Sequence, residues 1–267
     1  MPYVVNQGVR IYYEIEGHGA PLVMMHGFSR SLKGWYDNGY VQGLSQNYQL
    51  ILMDARGHGA SDKPHEVEAY QPDLFAGDIL AVLDDLGVKK AHYYGYSQGG
   101  AIGFKSVARY ALPRFYSLII GGMSPYRVIT EAEEQWSRLL TSAMETAVEK
   151  GMEYYVATIE RVMGPMLPSV KAECLKNDPS ALLAMRKAYA GWPGAEDILE
   201  YITVPCLIFV GEADAYFVKA KEGAGHMPDA IFISFPGLNH VECGQRSDLV
   251  IPHIKQFLAK VNKNFDI

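Results

Sequence analysis

Along most of the chain, short apolar runs alternate with longer segments whose apolar residues recur at helical spacing. Val9-Arg10-Ile11-Tyr12-Tyr13-Glu14-Ile15 alternates in character and predicts an early edge strand. Pro21–Met25 and Tyr48–Met53 are apolar runs of buried-strand length, and Ala91–Tyr94 is a short aromatic-rich run of the same kind. Phe115–Ile120, Cys206–Val210 and Ile231–Phe235 predict three more strands. Between them, Leu74, Ile79, Val82, Leu83 and Leu86 fall on one helical face, with Pro72 near the start of that segment and Gly87 just past its end. Ser247–Val261 predicts a closing helix. Alternating strands and helices of these lengths imply an α/β fold built on a mostly parallel sheet covered on both faces.

One region breaks the alternation. From about Pro125 to Gly194 no strand is evident, while 131–150, 152–163 and 179–189 all carry helical spacing. The expected organisation is therefore a core made of residues 1–124 and 195–267, interrupted by a helical insertion over 125–194. The insertion holds Trp136, Tyr154, Tyr155 and Trp192, with Met144, Met152, Met163, Met166 and Met185. Aromatic rings and flexible thioethers suit an adaptable apolar cavity wall, and about a third of them are expected to face a substrate, with Trp136 and Trp192 as the first candidates.

Bulk properties narrow the classes without naming one. The 267 residues are enough for one sizeable core. Hydrophobic residues make up 49% and charged residues 20%, the balance of a globular protein. A formal net charge of −6 gives no electrostatic reason to bind nucleic acid or an anionic membrane. No apolar stretch approaches the ~20 residues that span a bilayer, and Met1–Asn6 has no basic region followed by an apolar run. Cys174, Cys206 and Cys243 are few, odd in number and far apart, as expected of reduced thiols in a cytoplasmic protein. The oligomeric state, a homodimer included, is left open.

Candidate chemistry centres on Gly95-Tyr96-Ser97-Gln98-Gly99-Gly100. This is the pattern G-x-S-x-G, which holds a serine on a sharp turn between a strand and a helix. Alone it arises by chance in roughly one chain of this length in ten, so the rest of the machinery has to be found elsewhere. A serine nucleophile needs a base, and the base needs a carboxylate that fixes its tautomer. Asp214 follows the strand Cys206–Val210 and is the expected acid, with Glu212 as its rival two residues earlier. His240 follows the next strand and is the expected base. The ends of strands in an open α/β sheet are where ligands gather. The developing oxyanion needs backbone donors: the N–H of Gln98, directly after the serine, and the N–H of Phe28 in the loop Met25-His26-Gly27-Phe28. His26 is expected either to brace that loop or to line the pocket. Neither metal-ligand spacing nor a phosphate-binding glycine loop is present in the sequence.

Taken together these residues resemble the α/β-hydrolase fold superfamily over nearly the whole chain. His26-Gly27-Phe28 is similar to its oxyanion loop, and Asp54-Ala55-Arg56-Gly57-His58-Gly59-Ala60-Ser61 to the segment after its fourth strand. Gly211-Glu212-Ala213-Asp214 resembles its acid loop, and Asn239-His240 its histidine loop. The resemblance implies an eight-stranded sheet, a cap over the pocket and acyl transfer without metal or cofactor, with Asp54, Arg56 and His58 structural. Ser97 argues against the haloalkane dehalogenases and epoxide hydrolases of the superfamily, which use an aspartate at the elbow. Hydrolysis of a small, largely apolar ester or lactone is the first expectation. C–C bond hydrolysis of a ring-cleavage product, or a receptor that retains the triad, are the alternatives. A substrate carboxylate would require a cation, and Arg56, Arg127, Arg161 and Arg186 cannot be placed from sequence.

Overall fold

The computed structural model describes residues 3–127 and 130–265. Met1–Pro2 and Asp266–Ile267, at the ends of the expected core, and Val128–Ile129 in the expected insertion lie outside those residues.

The chain opens with a hairpin of β1 (Tyr3–Asn6) and β2 (Val9–Glu16), paired antiparallel. Its two-residue turn, Gln7–Gly8, has φ of 48° and 81°, the handedness that matches the twist of the flanking strands. β3 (Ala20–Met25), β4 (Tyr48–Met53), β5 (Ala91–Tyr96), β6 (Phe115–Gly121), β7 (Cys206–Gly211) and β8 (Ala230–Phe235) complete an eight-stranded sheet in the order β1-β2-β4-β3-β5-β6-β7-β8. β2 runs antiparallel to β4 as well, and every pairing from β4 to β8 is parallel.

Helices cover both faces. In chain order they are α1 (Lys33–Asp37), α2 (Tyr40–Leu44), α3 (Pro72–Asp85) and α4 (Gln98–Ile102), which runs on as a π-helix over Gly103–Ala111. Then come α5 (Glu131–Lys150), α6 (Met152–Met163), α7 (Pro168–Cys174), α8 (Pro179–Gly191), α9 (Phe217–Gly225), α10 (His240–Gln245) and α11 (Ser247–Phe265). None of the described helices is long and apolar enough to cross a membrane.

Side chains alternate between the two faces with the strand period of two. Val23, Met25, Ile51, Met53, Ile208 and Val210 join the layer under α3, α4 and α9. Leu22, Met24, Leu50, Leu52, Leu207 and Phe209 join the layer under α1, α2 and α11. The parallel strands are therefore apolar in sequence on both sides, which is why they read as continuous runs rather than as alternation.

α5 to α8 lie between β6 and β7 and carry a small core of their own. α5 begins with a reciprocal cap between Thr130 and Glu133, has Glu131, Glu133 and Glu134 in its first turn, and ends with Lys150. That arrangement opposes the helix dipole at both ends. Leu140, Met144, Tyr155, Val156 and Leu182 pack together in this core. Met185, Ala188 and Trp192 of the α8 segment instead join the sheet-side layer, so α8 belongs to both. α7 has no counterpart in the sequence reading: it is seven residues long, and Pro168 at its first position is its one clear signal.

Candidate active site

The site is built where β3, β5, β7 and β8 end, on one rim of the sheet. Ser97 follows β5 directly with φ 55° and ψ −112°, a left-handed backbone that a non-glycine residue keeps only under constraint. The constraints are visible. Ser97 N–H donates to Gly121 O at 2.8 Å, Gly99 N–H donates to His26 O at 3.0 Å, and the Tyr93 hydroxyl donates to Gly99 O at 2.6 Å. The turn also needs glycine on both sides of the serine. A Cβ on Gly95 would lie 2.2 Å from Gly99 O, and one on Gly99 would lie 2.1 Å from Met25 O.

His240 opens α10, which Asn239 caps by accepting from the Val241 and Glu242 N–H groups. The Tyr96 hydroxyl holds the His240 carbonyl at 2.5 Å. The imidazole then bridges two groups, with Nδ1 2.7 Å from Asp214 Oδ2 and Nε2 2.8 Å from Ser97 Oγ. Asp214 is buried, and its other oxygen accepts from Tyr216 N–H at 3.1 Å. Glu212 is exposed and accepts from the Ser234 hydroxyl instead. Of the two carboxylates the sequence left in competition, the structure thus brings Asp214 to His240.

Phe28, Ser97 and Gln98 line a common cavity. Among the described residues neither the Phe28 nor the Gln98 backbone N–H has an acceptor, so both donors are available to a ligand oxygen. The Phe28 loop is fixed by two buried histidines. His26 Nδ1 lies 2.8 Å from Gly27 O, and Nε2 accepts from Ala55 N–H at 3.1 Å. His58 Nε2 accepts from Ser29 N–H at 3.3 Å, across a residue with φ 58°. Burial pushes the His26 pKa down to about 4 and that of His58 to about 3, so both rings are neutral and each offers one acceptor. Asp54 and Arg56 serve the scaffold. Asp54 accepts from Leu32 and Ala60 N–H groups, and Arg56 pairs in two contacts with the buried Asp78.

Above the rim is a cavity of about 400 Å³ whose walls include Phe28, Trp136, Tyr155, Ile159, Met163 and the His26 loop. A second cavity of about 40 Å³ meets Ser97, Gln98 and His240 on another side, and is bounded by Met185, Arg186 and Tyr216 among others. Five of the nine aromatic and methionine residues singled out in the insertion line one or other of these, namely Trp136, Tyr155, Met163, Met166 and Met185. Trp192 is a correction. It lines neither cavity, because its indole N–H donates to Tyr70 O at 2.9 Å and its ring packs on Phe75 and Tyr189 in the sheet-side core. Arg186 and Tyr216 were not anticipated at the site. Tyr216 had a signal, as the bulky residue two places after Asp214. Arg186 had only its place amid small and apolar residues of α8.

With this geometry in hand, comparison with known proteins is decisive for the family. The sequence model of the alpha/beta hydrolase fold matches residues 20–156, just over half of the chain. The chain belongs to the alpha/beta hydrolase fold family. This alpha/beta hydrolase is 25% identical to a non-heme haloperoxidase of Rhodococcus erythropolis, over 97% of this chain and 99% of the relative. It is 26% identical to a bifunctional esterase/perhydrolase of Acinetobacter calcoaceticus, over 90% of this chain and 93% of the relative. Among solved structures, one described as an N-acyl homoserine lactone degrading enzyme superposes with a TM-score of 0.76 at 27% identity, covering 96% of this chain and all of that one. Among the described residues of this alpha/beta hydrolase, no three His, Cys, Asp or Glu side chains are grouped to hold a metal ion.

Proposed function

We propose that this alpha/beta hydrolase is a serine hydrolase of small carboxylic esters or lactones, working through an acyl-enzyme. The observation that carries the reading is the pair of hydrogen bonds running from Asp214 through His240 to Ser97, at 2.7 and 2.8 Å. In the proposed reaction His240 Nε2 takes the Ser97 proton while Oγ attacks the carbonyl carbon. The N–H groups of Phe28 and Gln98 stabilise the oxyanion. His240 then protonates the departing alkoxide, leaving an ester on Ser97. Water, deprotonated by His240, attacks that ester and releases the carboxylic acid and free serine. Asp214 accepts from His240 Nδ1–H, which leaves Nε2 as the base and stabilises the imidazolium.

Residues 125–194 act as the cap in this reading, over a core of 1–124 and 195–267. The cap is supported by the way α5 and α6 supply the apolar wall of the larger cavity. A wall of that kind takes an apolar group, and a volume of about 400 Å³ is within the usual range of small-molecule sites. The names of two relatives, the esterase/perhydrolase and the lactone-degrading enzyme, point to ester and lactone carbonyls. Three buried free cysteines fit a cytoplasmic setting.

The test is turnover of p-nitrophenyl acetate, butyrate and octanoate by wild type, Asp214→Asn and Glu212→Gln. Wild type is expected to cleave them with a chain-length preference set by the cavity. Asp214→Asn is expected to lose about four orders of magnitude in kcat through the wrong histidine tautomer, and Glu212→Gln to stay within about threefold of wild type, as exposed sites away from a network do. Damage from Glu212→Gln alone would overturn the acid assignment. No turnover by folded wild type would move the reading to C–C bond cleavage or to a receptor.

A further inference from the structure

Arg186 is a buried cation on the wall of a cavity that Ser97 also lines, and among the described residues it forms no ion pair. It is 9% exposed and lines the small cavity together with Ser97, Gln98 and His240. Its Nε donates to Thr141 Oγ1 at 3.3 Å, and its Nη2 to the Ser137 carbonyl and hydroxyl at 3.0 and 2.5 Å. The guanidinium lies over the Phe28 and Tyr189 rings, 5.6 Å from each centroid. Among the described residues, no carboxylate comes within ion-pair distance of it, and Nη1 has no acceptor. Every protein contact that holds Arg186 is therefore neutral.

Three further buried ionisable groups stand close by, namely Lys105, Glu133 and Asp214. Lys105 reaches the Tyr189 hydroxyl at 3.5 Å, and burial pushes the fully buried Glu133 carboxyl up from its ordinary value. None of the three lines the small cavity, so Arg186 is the charged side chain on its wall. An isolated buried cation costs much of its hydration energy unless something anionic accompanies it.

Gln98 adds an independent observation. Gln98 is 6% exposed and lines the same cavity, and its amide nitrogen and oxygen, both shut off from solvent, have no hydrogen-bond partner among the described residues. Buried polar groups are almost always satisfied, and one that is not calls for an explanation such as a missing ligand. The volume limits what that ligand is. A single water needs roughly 10–15 Å³ measured in this way, so about 40 Å³ holds a carboxylate and a short stem, not a long chain.

We propose that the small cavity is an anion subsite for the acyl half of the substrate. The preferred substrates are esters or lactones whose short acyl group carries a free carboxylate, held by Arg186 and the Gln98 amide. The apolar alcohol half occupies the larger cavity. A planar guanidinium offers a carboxylate two parallel N–H donors, a geometry a lysine cannot supply. The inference rests on the serine-hydrolase reading and sharpens it: the substrate is apolar at one end and anionic at the other.

The experiment compares monobenzyl succinate with benzyl 4-methylpentanoate, which replaces the carboxylate by an isosteric branched alkyl group. Benzyl alcohol release gives kcat/KM for each. Wild type is expected to favour the succinate ester by about tenfold or more, the effect of one charge-assisted contact. Arg186→Gln is expected to erase that ratio, and Arg186→Lys to retain part of it. A wild-type ratio below one, or a ratio unchanged by Arg186→Gln, overturns the subsite. Because Arg186 also ties α8 to Ser137 and Thr141, the same question is put to a protein with Arg186 intact. Calorimetric binding of succinate and of 4-methylpentanoate is measured on Ser97→Ala. Tighter succinate binding supports the subsite even if neither ester is cleaved, an outcome that would remove only the serine-hydrolase reading. Cleavage of both esters with equal binding of the two acids removes only the subsite.

Discussion

The rim of the sheet and the helical insertion above it hold their side chains in place by different means. On the rim, position is set by backbone. Ser97 sits in a strained turn whose neighbouring glycines touch backbone carbonyls within 2.2 Å of where a Cβ would be. The Phe28 loop hangs on two neutral histidines through main-chain hydrogen bonds. In the insertion, position is set by side-chain packing around Leu140, Met144, Tyr155 and Leu182, and by the contacts of Arg186 with Ser137 and Thr141. Backbone constraints fix atoms for bond making to within a fraction of an ångström, whereas packed side chains can be exchanged with modest loss. The difference teaches where chemistry and selectivity can vary separately in this protein.

Paired glycine substitutions break that comparison most sharply. On the rim, Gly99→Ala drives a methyl group into Met25 O and His26 O, and neither can retreat without pulling the Phe28 donor away. The expected loss is about 3 kcal/mol or more of stability, at the upper end for overpacking, with kcat falling far beyond what stability explains. In the insertion, Gly164→Ala meets nothing within 4 Å and is strained by its backbone, φ 84° and ψ 175°, at a cost of about 1–3 kcal/mol. Urea unfolding and ester turnover of both variants measure this, and equal effects would dissolve the distinction.

A smaller effect separates the sheet from its surroundings by pH. His92 on β5 is buried between Ser117 and Asn262, and burial lowers its pKa to about 4. An unfolded chain binds that proton near pH 6.5, so the unfolded state holds more protons between about pH 6.5 and 4. Stability is fully present above that window and is lost as pH falls through it. His92→Gln removes this one contribution, while His26 and His58 keep theirs with the same sign. Between pH 6.5 and 5, wild type is expected to lose about 1.5 kcal/mol more than the variant, since one unit is worth about 1.4 kcal/mol once the unfolded histidine is mostly protonated. Urea midpoints at several pH values check it, and parallel curves would contradict it.

What was legible in the sequence follows the same divide. The elbow, the oxyanion loop and the histidine loop are short local patterns, because backbone geometry demands particular residues at fixed offsets. The first strand was missed because Tyr3–Asn6 is only four residues long, although Gln7–Gly8 carried a hairpin signal. Asp214 was preferred to Glu212 on its place in the loop after β7, and the fold adds the physical reason, since Asp214 turns inward to His240 while Glu212 stays exposed. Trp192 was misjudged for a reason that packing alone reveals: its N–H finds the Tyr70 carbonyl in the core. Arg186 was illegible because an arginine in a helix is ordinarily solvated, and nothing local records that its guanidinium is shut in beside Ser97.

The central claim is that Ser97 is a nucleophile activated by His240. Its most direct test is treatment of the folded protein with a fluorophosphonate, followed by intact-mass and peptide mass spectrometry. The account predicts one adduct per chain on Ser97, with rapid loss of esterase activity, and no labelling of Ser97→Ala. An unlabelled wild type, or a label that persists in Ser97→Ala, would contradict it.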